Sequence, residues 1–150
     1  MMVPMRRLQR TALIAATPAE VYAFVSDPAN VPRWQTGVIS AERTSPPPTV
    51  TGSTGRVVFA VMGQRVVADT TVREAVADRR LVLTTSASGM SVVASLDLAP
   101  DEGGTRLSFG SEIKAESIFM APLERMVADA VEKDLDASLA RLKAAIEKPA

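Results

Sequence analysis

The 150-residue sequence predicts an α+β fold in which one strand, two short helices, six strands and one long helix follow in that order (β-α-α-β6-α). Three observations carry this. Thr17-Pro18-Ala19-Glu20 and Asp27-Pro28 each set a capping residue before a proline, which is how helices start. From Gly37 onward, apolar and polar residues alternate for about eighty residues, broken at SPPPT, TGSTG, Gly63, ADRR, SASG and PDEGG. From Phe119 to Glu147 the apolar spacing lengthens to three and four residues, the helical period.

Residues 6–15 mix apolar and polar side chains and read as the first strand. At the helix start that follows, Thr17 can cap, Pro18 suits the first helical position and Glu20 can bond back to the cap. This helix carries Val21, Phe24 and Val25 on one face and stops near Ser26. A second short helix is expected from Pro28 to about Trp34, before Gly37 releases the chain. Six strands joined by hairpins come next, with Pro46–Pro48 in an extended loop. The C-terminal helix presents Leu123, Met126, Val127, Ala130, Val131, Leu135, Leu139, Leu142 and Ile146 as an apolar stripe, with Glu124, Arg125, Asp129, Glu132, Lys133, Asp136 and Arg141 mostly opposite. At 1.5 Å per residue it is roughly 40 Å long, enough to cross a whole sheet, and its stripe places it on the concave side. No repeat or linker divides the chain, so one domain is expected over 1–150 with its core at about 5–147. Residues 1–4 add nothing visible to the fold, which leaves Met1, Met2 and Met5 as candidate starts.

Composition narrows the chemistry. A 47% hydrophobic, 23% charged chain of this length is globular and buries roughly 70% of its unfolded surface. Lys+Arg 17 balance Asp+Glu 17, so no basic excess exists to displace phosphate counterions, and a nucleic-acid partner is not expected. Cysteine and histidine are absent, which removes disulfides, thiolate nucleophiles, the common zinc sites and imidazole bases. No carboxylate spacing suits a hard cation, so neither metal nor cofactor is expected. The apolar run Ala12–Ala16 is shorter than the ~7–15 residues of a signal core, and no stretch approaches the ~20 of a membrane span; a cytoplasmic protein, monomer or homodimer, is the expectation.

The element order together with TPAEVYAFVSDPANVPRW resembles the START-like (SRPBCC) superfamily, in particular its polyketide cyclase/dehydrase and lipid-transport branch. The motif residues are Ala15–Val21, Tyr22–Phe24, Ser26–Pro28 and Pro32–Trp34, and the order of elements extends the resemblance over the whole chain. The resemblance implies a helix-grip fold, a seven-stranded curved antiparallel sheet closing with the long helix around an apolar cavity. It implies no particular reaction, since members include binders, cyclases and stress proteins.

Strand alternation then selects what faces that cavity. Leu107, Phe109, Ser111 and Ile113 share one face of the last strand; Val92, Ala94, Leu96 and Leu98 share one in the strand before. Upstream, Leu81, Leu83 and Thr85 turn inward, as do Val66, Ala68, Thr70 and Val72, while Val57, Phe59 and Val61 are preferred over the other phase because of Arg56. The candidate lining is Trp34, Phe59, Val61, Thr70, Thr85, Met90, Phe109, Ser111, Met120, Leu123, Met126, Val127 and Ala130. Met62, Met90, Met120 and Met126 suit a flexible cavity mouth or ordinary core filling, and Trp34 suits a ligand or the core. Asp27 reads as a cap, and Glu112, Lys114 and Glu116 as a solvated strand face; Arg33 beside Trp34 is a minor candidate for meeting a ligand's acidic group at the rim. No catalytic residue stands out, because no titratable group from the later strands points inward unless a bulge turns Asp69 or Glu112 into the cavity. Binding or carriage of a small apolar molecule, a lipid or an aromatic polyketide-like compound, leads. A cyclase or dehydratase that works by positioning its substrate, and a protein-interaction module with a filled cavity, are the alternatives.

Overall fold

The computed structural model describes residues 5–61, 63–87, 89–115 and 121–147. Its elements are β1 (Met5–Ile14), α1 (Pro18–Val25), a 3-10 turn (Pro28–Asn30), α2 (Val31–Trp34), β2 (Val38–Arg43), β3 (Thr54–Val61), β4 (Gln64–Val76), β5 (Arg80–Ala87), β6 (Met90–Asp101), β7 (Gly104–Ala115) and α3 (Ala121–Glu147). The strands form one antiparallel seven-stranded sheet in the order β1-β7-β6-β5-β4-β3-β2. The sheet is open and curved, and α3 lies in its concave side, the helix-grip arrangement expected from sequence.

Local chemistry explains the element ends. The Glu20 amide donates to Thr17 Oγ1 (3.2 Å) and the Thr17 amide to Glu20 Oε1 (3.1 Å), a complete capping box that holds the Glu20 carboxyl below the usual carboxylate range. Asp27 acts as a cap, accepting from the Ala29 amide at 3.0 Å. The single helix expected over Pro28–Trp34 is in fact a 3-10 turn followed by α2. Pro32 has no N–H to give the Pro28 carbonyl and its ring crowds that oxygen. The Val31 amide takes Pro28 O instead, and a new turn starts. Gly37, at φ 89°, then turns the chain into β2.

Bulges between Val38 and Ser40 in β2 and between Val72 and Glu74 in β4 bend the far half of the sheet. Buried Leu8, Ile14, Leu96, Leu98, Leu107, Phe109 and Ile113 from the sheet meet Ala128, Leu135, Leu139 and Leu142 of α3 and Val21, Val25 and Trp34 of the short helices. Met126 departs from the expected stripe: it is 46% exposed. It precedes Leu135 by nine residues, about two and a half turns, and so stands on the opposite side of the helix.

Both ends of the long helix's final turns are fastened. Glu147 Oε2 accepts from the Ala15 amide at 2.7 Å and from Lys143 Nζ at 2.6 Å, and Lys143 also reaches Leu13 O at 2.8 Å. Earlier in the same helix, Ser138 Oγ accepts from the Thr36 amide at 3.0 Å and Arg141 donates to Pro32 O at 3.2 Å, tying α2 and the residues after it to α3.

Two measurements check this packing. Leu142→Ala empties a site of 0% exposure and should lower the urea-derived stability by about 2–5 kcal/mol, whereas Met126→Ala should stay within about 0.5 kcal/mol. Tyr22 is the only tyrosine, and burial, then the negative charge of Asp78, raises its phenol above the ordinary value. A raised folded-state value favours the neutral phenol, so this contribution to stability is complete below the unfolded value and falls away as pH rises through the folded one. Absorbance titration of the native protein should therefore give a midpoint above about 10, returning to about 10 in denaturant.

Candidate functional site

Antiparallel register lines up the concave face in rows, because residues directly opposite share a side of the sheet. One row runs Ala75, Leu81, Leu96, Phe109 and Arg10; the next Val72, Leu83, Ala94, Ser111 and Leu8; the third Arg43, Gly55, Thr70, Thr85, Val92 and Ile113. Beyond these lie Ala41, Val57 and Ala68, then Val38, Phe59 and Val66.

Burial varies across these rows. Leu81, Leu96, Phe109, Leu8 and Ile113 are sealed, while Leu83, Ala94, Val92, Thr70 and Thr85 retain partial solvent access although they face the helix side. Apolar groups of the sheet's centre are thus not fully covered by α3.

Trp34 packs against β7. It is 1% exposed and meets Phe109 edge-on, with ring centroids 5.7 Å apart at 68°. Its Nε1 is buried and has no acceptor among the described residues. Met90 is buried opposite Ala115, and Ser111 is buried between Ala94 and Leu8. Phe59 stands opposite Val66, nearer the β2 edge and partly buried. Of the remaining candidates, Met126 is on the outer side of α3, while Met62, Met120 and the side chains of Val61, Leu123, Val127 and Ala130 lie outside the described residues. Glu116 does too.

Charge is sorted by face. On the convex side Arg7 pairs with Glu112 (2.9 Å), Arg56 with Asp69 (3.6 Å), Arg80 with Glu74 (3.2 Å) and also with Asp97, and Lys114 with Glu112 (3.4 Å). Asp69 and Glu112 are accordingly outside; the two bulges do not carry them in. A shallow convex groove floored by Gly110 and Ser95 lies between these pairs, and its charges are matched. Arg33 sits over the Phe24 ring at 5.1 Å and donates to Asn30.

Two arginines missed by the alternation argument reach the concave side. Arg10, on β1, is paired with Asp136 of α3 at 3.3 Å. Arg43, on β2, donates from Nη2 to Thr49 Oγ1, and Thr49 in turn donates to Ser26 O at 2.7 Å. Its Nε is buried with no acceptor among the described residues. The face therefore offers apolar surface, three hydroxyls and donor groups. Among the strand residues described it presents no carboxylate that could act as a general base.

No group of three or more metal-ligating side chains occurs among the described residues, and no described helix is long and apolar enough to cross a membrane. Among solved structures, the Zhui aromatase/cyclase from Streptomyces sp. R1128 superposes with a TM-score of 0.80 at 12% identity, covering 96% of this chain and 94% of that one. TTHA0849 from Thermus thermophilus gives 0.74 at 20%, covering 95% and 97%. Ara h 8.0201 gives 0.73 at 14%, covering 95% and 98%. At these identities the likeness is one of fold. No curated protein matches the chain by sequence. A sequence profile described as polyketide cyclase / dehydrase and lipid transport matches residues 5–147. Profile, element order and helix-grip sheet agree, and the chain belongs to the polyketide cyclase/dehydrase and lipid transport family.

Proposed function

We propose that the protein binds or carries a small, mostly apolar molecule in a cavity between the concave face and α3. The observation that supports this most is the partial exposure of Leu83, Val92 and Ala94, apolar residues at the middle of the concave face. A filled core would seal them, as it seals Leu81 and Leu96 one row away. Covering such surface with a ligand is worth about 25 cal/mol per Å². Thr70, Thr85 and Ser111 would orient the ligand, and Trp34 with Phe109 would supply a flat aromatic wall.

Carriage fits the charge distribution better than acid/base catalysis, since Asp69, Glu74, Asp97 and Glu112, each next in sequence to a residue of these rows, are engaged on the other side of the sheet, and Glu42 lies on that side opposite Arg56. A cyclase that works by positioning alone remains the second reading, supported by the family's range rather than by a residue.

The test uses Trp34, the only tryptophan, as reporter. Fatty acids, sterols and polycyclic aromatic ketones titrated into the protein should give saturable fluorescence changes for at least one class, with a matching bound mass by native mass spectrometry. Ala94→Phe, which fills the space between Leu83 and Ser111, should weaken that binding about tenfold or more, with far-UV circular dichroism unchanged. Absence of any bound mass and of any response from all three classes would overturn the carrier reading in favour of an interaction module; conversion of a bound compound would turn it into the cyclase.

A further inference from the structure

We infer that the ligand carries a carboxylate and that Arg43 seats it. This rests on the ligand-binding reading above and adds the chemical class. Among the described residues, the buried side-chain nitrogens and oxygens without a hydrogen-bond partner are Trp34 Nε1 and Arg43 Nε. Both are donors. A buried donor left unmatched is costly, so the molecule that complements this interior must bring acceptors.

Arg43 is the stronger of the two sites. It closes the third concave row, directly opposite Gly55, with Thr70 and Thr85 next across the sheet. A Cβ at Gly55 would come within 2.7 Å of Thr70 Oγ1, so glycine leaves no side chain between that hydroxyl's strand and the arginine's in this row. The guanidinium is held from one side by Thr49, itself anchored on Ser26 O at the end of α1. Among the described residues no carboxylate pairs with it, in contrast to Arg10, which meets Asp136, and to the matched convex arginines. A guanidinium fixed by one hydroxyl, with its Nε edge buried and unused, presents the fork that takes a carboxylate through two parallel hydrogen bonds. Thr70 and Thr85 continue the polar strip, while Leu83, Ala94 and Val92 flank it with apolar surface. A molecule with an apolar body and one acidic end matches this division.

The experiment compares dodecanoic acid with dodecanol, equal in chain length, by calorimetry and Trp34 fluorescence at neutral pH. The wild-type protein should bind the acid at least about tenfold more tightly than the alcohol, the order expected for one charge-assisted bidentate pair. Arg43→Met should bring the two ligands to within about twofold of each other by weakening the acid alone, and Arg43→Lys, which keeps the charge but loses the fork, should fall between. Equal wild-type affinities, or an Arg43→Met variant that weakens acid and alcohol together, would overturn the carboxylate assignment while leaving the apolar site standing. Binding of neither ligand would overturn both. If Arg43→Met does not fold, the wild-type ratio and Arg43→Lys decide the matter.

Discussion

The pairing of β1 with β7 is the constraint on which the remaining architecture rests. Ten residue pairs run from Met5↔Lys114 to Ile14↔Thr105, joining strands whose facing side chains, such as Arg7 and Glu112, are 105 positions apart. Closing so long a loop is entropically expensive but only weakly dependent on its length, and the cost is offset by a full row of ladder hydrogen bonds and by burial of Leu8, Leu107, Phe109 and Ile113. Once β1 is docked, the last turn of α3 has fixed acceptors and donors to meet. Leu13 O and the Ala15 amide receive Lys143 and Glu147, and buried Thr105 donates to Ala16 O at 2.7 Å. The helix is thereby held across the sheet, and through Ser138 and Arg141 it positions α2 and Trp34.

How far the interior could be foreseen depended on each strand's regularity. β6 and β7 alternate without interruption, so Val92, Ala94, Leu96 and Leu98, and Leu107, Phe109, Ser111 and Ile113, declare their faces directly. The capping box and the proline-led starts were equally plain. β2 was not. Counting by twos from Val38 would put Ser40 and Glu42 inside and Arg43 outside. The bulge after Val38 shifts the phase, so that Ala41 and Arg43 share the concave side with Val38. Six residues with one irregularity leave too little pattern to correct such a slip. β4 hides the same device, since the bulge before Glu74 turns Ala75 inward and frees Glu74 to pair with Arg80. Met126 misled for a different reason: apolar residues recur on more than one side of α3, and composition cannot say which side the sheet covers.

The two faces of the sheet follow opposite electrostatic rules. On the convex side, cross-strand ion pairs stand in water, each worth no more than about 1 kcal/mol, and they chiefly fix register and keep the face polar. On the concave side, polar groups are few and their surroundings drier, so each one weighs more. A single misplaced charge there would cost more than several convex pairs return. That contrast is why Arg43, an ordinary arginine by sequence, stands out once its position is known.

The β2 edge has a further consequence, for association between copies of the chain. An exposed strand edge invites a second sheet to add to it, and proteins blunt such edges by shortening, bulging and proline. β2 has the first two, being six residues long and irregular after Val38, and Pro46, Pro47 and Pro48 follow within a few residues of its end. The edge nearest Arg43 is thus a poor template for cross-molecule strand pairing, which keeps this flank of the sheet from being consumed in self-assembly.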